Sequence, residues 1–201
     1  AVAAARQPSL NFGREAMKPL TIPARASHCA RFYDSAPQVT DADGTVHWIT
    51  RGGNFVVVAT RAAAGAVLER KDQADEYMVL LPEDVGATLS AGETQVESLG
   101  DSLTIMPPGA RRVVVATPGV VYRIFSHRAG DLADKADNAG TYDDKSELAP
   151  LVNWPDPVGG FRLRHYRMAD HVRPGRPLPP FRHPHLMVNV VGPTTTPRGR
   201  H

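Results

Sequence analysis

Val46-His47-Trp48-Ile49-Thr50, then Arg51-Gly52-Gly53-Asn54, then Phe55-Val56-Val57-Val58-Ala59-Thr60-Arg61: a β-branched run, four turn-forming residues and a second β-branched run read as a hairpin. The same texture continues to Ser126. Short apolar runs at 66–69, 76–81, 87–91, 94–98, 103–106, 111–117 and 120–126 are separated by Gly, Pro and Asp. Nine strands in about eighty residues leave no room for crossover helices, so the sheets must be mostly antiparallel. The fold class expected is all-β, with an N-terminal arm and a C-terminal extension.

Outward from this core the composition changes. Residues 1–45 carry Pro8, Pro19, Pro23 and Pro37 among Ala and polar residues, a spacing that forbids a long helix and predicts an arm with short strands. The polar stretch 131–147 reads as a short helix or a loop, with Tyr142 as an anchor. A further strand is expected over 161–168. Pro174, Pro177, Pro179 and Pro180 then mark a linker, and 186–191 is a strand with nothing after it to complete a sheet. The expected units are an arm (1–45), a barrel (46–126), an extension with the Pro-rich linker (127–180) and an orphan strand (181–201).

Charge and cysteine content exclude several classes. The 23 basic and 21 acidic residues are interspersed, which argues against a nucleic-acid partner. Apolar runs are strand-length, far short of the roughly 20 residues of a membrane helix. The apolar start, Ala1 to Ala5, is too short for a signal peptide, so a cytoplasmic address is expected. Cys29 is the only cysteine, which rules out an intrachain disulfide and a thiolate zinc cage and leaves a plain free thiol as its expected state.

Within 65–126 the spacing of particular residues resembles the cupin superfamily, whose barrels carry two short motifs. The first, a Gly followed by His-x-His and a Glu, appears as Gly65, then Glu69-Arg70-Lys71-Asp72-Gln73, then Glu76, with Gly86 closing it. The second appears as Gly100, then Pro107-Pro108-Gly109-Ala110-Arg111-Arg112, with Arg112 in the His slot and Ala116 in the Asn slot. Every candidate from 69 to 73 is something other than histidine, and no histidine lies between His47 and His127. The resemblance implies an antiparallel cupin-like β-barrel, or jelly roll.

Cupin metals are first-row cations that favour imidazole, and Lys71 and Arg112 in its place would repel a dication. The expectation is no cofactor in this barrel, with Glu76 forming an ion pair with Arg112 or Lys71. The same three residues, Lys71, Glu76 and Arg112, are the candidate ligand-binding set for a small anion.

His183-Pro184-His185 is the one His-x-His in the chain. Alternate residues of a strand face one way, so His183 and His185, with the terminal His201, form the candidate metal set. The resemblance also suggests a duplicated barrel, or bicupin, in which a degenerate half precedes a metal-bearing one, and the orphan strand looks like the opening of that second half. The function expected first is therefore a metal-free scaffold half of a bicupin-type small-molecule enzyme, dioxygenase-like, with iron or manganese in a missing or partner half. The alternatives are a stand-alone module for a small anionic ligand, and a metalloenzyme using the C-terminal histidines. Sheet edges invite pairing, so a homodimer or a partner cupin half is expected. Pro107-Pro108-Gly109 reads as a turn, since glycine allows positive φ.

Overall fold

In the computed structural model, residues 30–143, 154–172 and 179–190 are described. Their strands are β1 (Val39–Thr40), β2 (Val46–Arg51), β3 (Phe55–Ala62), β4 (Val67–Gln73), β5 (Tyr77–Leu81), β6 (Ala87–Ala91), β7 (Thr94–Ser98), β8 (Ser102–Met106), β9 (Gly109–Val115), β10 (Gly119–Ser126), β11 (Arg164–Arg167), β12 (Phe181–His183) and β13 (Leu186–Val188). One sheet runs β1-β2-β3-β10-β5-β8-β11 and a second runs β4-β9-β6-β7. Every pairing is antiparallel. The expected barrel is thus realised as two facing sheets, a jelly-roll sandwich.

Period-2 alternation decides what each face buries. Val56, Val58 and Ala62 of β3, Val79 and Leu81 of β5, Leu89 of β6, Val113 and Val115 of β9, and Val121 and Phe125 of β10 point between the sheets into one core. Met78, Leu103 and Ile105 point the other way and form a second core on the outer face of the large sheet. The nine strands expected over 46–126 are all present, with ends shifted by a few residues. Gly109 takes φ +98°, as the Pro-Pro-Gly turn requires. Gly100, at φ +115°, lies so close to the carbonyls of Pro82 and Glu83 that a Cβ would stand 2.6 and 2.4 Å from them.

The described part of the arm lies on the sheet that follows it. β1 extends the edge at β2, Phe32 packs 5.5 Å from the Trp48 ring, and the Trp48 indole N–H donates to the Ser35 carbonyl at 2.8 Å. After β10 the polar stretch forms α1 (Gly130–Ala133) and a 3₁₀ turn at Ala139–Tyr142. Tyr142 sits under the Arg51 guanidinium at 5.8 Å, which gives it the anchoring contact anticipated. Among the described residues no helix is long and apolar enough to cross a membrane.

The C-terminal strand differs from expectation. β13 does have a partner: it pairs with β12, Phe181 opposite Val188 and His183 opposite Leu186. The cause is Phe181, which packs into the outer core with Met78, Leu103, Ile105 and Met168 and draws its neighbours into extended structure. The reading of residues 181–201 as the opening of a second barrel falls in part on 191–201, which lie outside the described residues, as do Cys29, Pro174, Pro177 and His201.

Candidate functional site

Beside the aliphatic core between the sheets lie two stacked aromatic rings and several guanidinium groups. Tyr77 stacks on Phe125 with ring centroids 4.7 Å apart and planes inclined by 15°. The Arg70 guanidinium lies 5.4 Å from the Phe125 centroid and that of Arg123 lies 5.9 Å away, distances at which the ring quadrupole attracts a cation. Burial pushes the Tyr77 phenol up to about 12, so it stays neutral.

The cations carrying this interior are not those the motif spacing selects. Lys71 and Arg112 are both exposed. Val113 and Val115 of β9 face the core, so strand alternation gives Arg111 their face and Arg112 the opposite one. Arg111 donates from Nε to the Pro107 carbonyl at 2.9 Å. Arg70 is held by Asp131 through two bonds of 2.7 and 3.0 Å and donates from Nε to Gln73 at 2.9 Å. Gln73 donates in turn to Asp75 at 3.0 Å, and the Ser126 hydroxyl donates to the other Asp75 oxygen.

Glu76 is fully buried, yet its partner is neither Lys71 nor Arg112. Arg164 of β11 reaches it, with Nη2 2.9 Å from each carboxylate oxygen. Desolvation raises the Glu76 pKa, and the Arg164 charge opposes that rise. Sequence spacing could not find this pair because β11 arrives as the edge neighbour of β8 after a long excursion. The Lys71, Glu76 and Arg112 set is therefore not assembled as one site.

Arg123 is the unusual member. It is only 6% exposed, and among the described residues no carboxylate forms an ion pair with it. Its Nη2 donates to Thr60 Oγ1 at 3.3 Å and to His47 Nδ1 at 3.4 Å, while Nε has no partner among the described residues. His47 donates from Nε2 to Asp41 at 2.8 Å, and its Nδ1 lies 2.9 Å from the Thr60 hydroxyl. Desolvation lowers the His47 pKa, which keeps the ring neutral and leaves Nδ1 free to accept. Beside this cluster lies a cavity of 320 Å³, lined by His47, Arg70, Arg123 and Lys135 together with the carboxylates Asp41, Glu69 and Asp131 on one part and by Ile49, Val58 and Leu68 on another. The signal for Arg123 was present in the sequence: Val121, Arg123 and Phe125 share one face of β10, so a strand buried on that face had to bury the arginine too.

Near the motif positions the buried carboxylates are already engaged, Asp75 by Gln73 and Ser126 and Glu76 by Arg164, and the inward Arg111 cannot ligate a cation. No three His, Cys, Asp or Glu side chains among the described residues converge to hold one. His183 and His185 also differ from the expected arrangement. His183 ends β12 and His185 lies in the turn after it, so the two do not alternate along a strand. Their rings are 6.3 Å apart and inclined at 84°, and the His185 backbone N–H donates to His183 Nδ1 at 3.3 Å. Burial pushes His183 down to about 4.

No protein-family model matches the chain, and no curated protein matches it. Solved structures similar to it include KdgF from Halomonas sp., at 13% identity over 50% of this chain and 95% of that one with TM-score 0.44. An RmlC-like cupin from Shewanella frigidimarina is similar at 14% identity, 53% and 96% coverage and TM-score 0.45. Oxalate decarboxylase from Bacillus subtilis is similar at 15% identity over 54% of this chain and 31% of that one, with TM-score 0.40. The strand order described above is by itself that of an antiparallel jelly roll, the fold expected from the motif frame.

Proposed function

We propose that this chain is a cupin-type binding domain that takes a small aliphatic carboxylate between its sheets, with Arg123 as the receptor for the anion. The observation that carries this reading is a guanidinium buried beside a cavity with no carboxylate ion-paired to it among the described residues. An uncompensated buried charge costs several kcal/mol, and a ligand carboxylate offsets that cost while offering an acceptor to Nε. Arg70 does not compete, being neutralised by Asp131. Ile49, Val58 and Leu68 suit a short hydrocarbon tail.

The test is a thermal-shift series from acetate to hexanoate on the intact chain. Butyrate is expected to raise the midpoint, since binding to the folded state stabilises it, and Arg123→Met is expected to abolish the rise while leaving a cooperative transition. A flat response across the series, or a rise that survives Arg123→Met, sinks the reading.

A second reading is favoured by the filled interior. With Tyr77, Phe125, Gln73 and Asp75 occupying the space between the sheets, the domain serves as the metal-free scaffold half of a bicupin-type, metal-dependent small-molecule enzyme. Its partner would be a second cupin half carrying iron or manganese, or a second copy meeting it through a sheet edge such as β7, in the cytoplasm. Elemental analysis and sedimentation of the chain with whatever copurifies would decide it: a lone monomer without a metal-bearing partner argues against it.

A further inference from the structure

A second cleft lies on the opposite face of the large sheet, under the β12–β13 hairpin. It has a volume of 500 Å³, and its lining includes Trp154, Arg162, Arg164, Tyr166, Arg182 and His183. Arg164 comes from β11, Arg182 and His183 from β12, and Trp154 and Arg162 from the segment leading into β11. The tertiary fold therefore gathers three guanidinium groups from two parts of the chain, Arg162 and Arg164 from one and Arg182 from the other.

Two buried donors in this lining have no partner among the described residues. Arg164 holds Glu76 with Nη2, but its Nε has no acceptor. His183 is 3% exposed. Its Nδ1 accepts the His185 N–H, which places the ring proton on Nε2, and Nε2 has no acceptor either. Buried N–H groups without acceptors each cost about 1–3 kcal/mol, so two in one cleft call for an acceptor-bearing occupant.

The charge balance sets the occupant's charge. Glu76 neutralises Arg164, His183 is neutral, and Asp156 is the one carboxylate of the lining set against Arg162 and Arg182. The remaining single positive charge matches a monoanion. The walls set its body: the Trp154 ring is covered by the Arg182 guanidinium at 5.3 Å, and the Tyr166 ring packs 5.0 Å from Phe181. Planar, electron-rich surfaces of this kind suit a flat ring.

We propose that this cleft is a separate binding site for a small aromatic carboxylate, whose oxygens accept from Arg164 Nε and His183 Nε2 while Arg182 and Trp154 hold the ring. Entry breaks no hydrogen bond of either donor. The site is independent of the one at Arg123 and takes a different ligand shape.

The experiment is isothermal titration of the intact chain with benzoate, with inorganic phosphate as the comparison anion. Benzoate is expected to bind with one-to-one stoichiometry outside the butyrate-dependent response. The exposed Arg182→Ala variant is expected to weaken it about two- to fivefold, the loss of the guanidinium contact with the ring. Arg123→Met is expected to leave it unchanged. In ¹⁵N-detected NMR, benzoate should shift the His183 imidazole Nε2–H resonance in the wild-type chain. No benzoate binding, preference for phosphate, an unmoved His183 signal, or loss of binding in Arg123→Met with none in Arg182→Ala would each overturn the proposal, the last by returning benzoate to the cavity between the sheets.

Discussion

Glu76, in the turn before β5, and Arg123 of β10 are both charged and both buried, but among the described residues only Glu76 has an oppositely charged partner. Glu76 is 0% exposed with Arg164 on both of its oxygens. Arg123 is nearly as buried with a hydroxyl and an imidazole in place of a carboxylate. The contrast separates two uses of a buried ion: a closed pair joins β11 to the turn before β5, whereas an open one leaves a receptor. Charge burial alone says nothing about function, and the partner list decides.

Substitutions test that contrast, and the largest effect belongs to the packing both groups share. Phe125→Ala removes the ring stacked on Tyr77 and covered by Arg70 and Arg123, and is expected to cost about 4 kcal/mol in urea unfolding. Glu76→Ala follows, with an expected loss of about 3–4 kcal/mol because the Arg164 guanidinium is stranded. Should that variant unfold at the wild-type midpoint, the pair is not holding the edge strand in place.

Acidification probes the other buried donor. His183 is pushed down to about 4 in the fold from an ordinary value of 6.5. The unfolded chain therefore takes up a proton that the folded chain refuses. The sign follows: the contribution is complete above pH 6.5 and is lost as pH falls to about 4, amounting to roughly 3 kcal/mol. His47 and His165, both lowered by desolvation, act in the same direction. A His183→Gln variant should show a flatter profile of stability against pH over this range, and an unchanged profile would remove His183 from the account.

Arg123→Met is expected to be neutral or to stabilise by about 1–2 kcal/mol, because an apolar side chain replaces an uncompensated ion. A loss as large as that of Glu76→Ala would erase the distinction between the two groups. The smallest effects belong to Lys71→Ala and Arg112→Ala, each within about 0.5 kcal/mol, since both side chains are exposed.

The strands of 46–126 were legible because alternation and turn residues are local signals, and the hairpin at Arg51 to Asn54 was found that way. The cationic interior was legible in kind but not in residue. Motif spacing pointed to Arg112, while strand parity turns Arg111 inward, and a shift of one residue exchanges faces. Arg164 and its pairing with Glu76 were out of reach, because 88 residues separate them. The hairpin at Phe181 was missed for a related reason: its strand partner is local, but the apolar slot that recruits Phe181 belongs to β5 and β8.

By itself the sequence determined the all-β class, the antiparallel pairing and the absence of imidazole from the motif positions, since each depends on residue type and short spacing. Only the tertiary structure decided which charges meet. Ion pairing depends on distance through space, and it is the order of strands in the sheet that brings Arg164 to Glu76 and, among the described residues, leaves Arg123 without an ion-paired carboxylate.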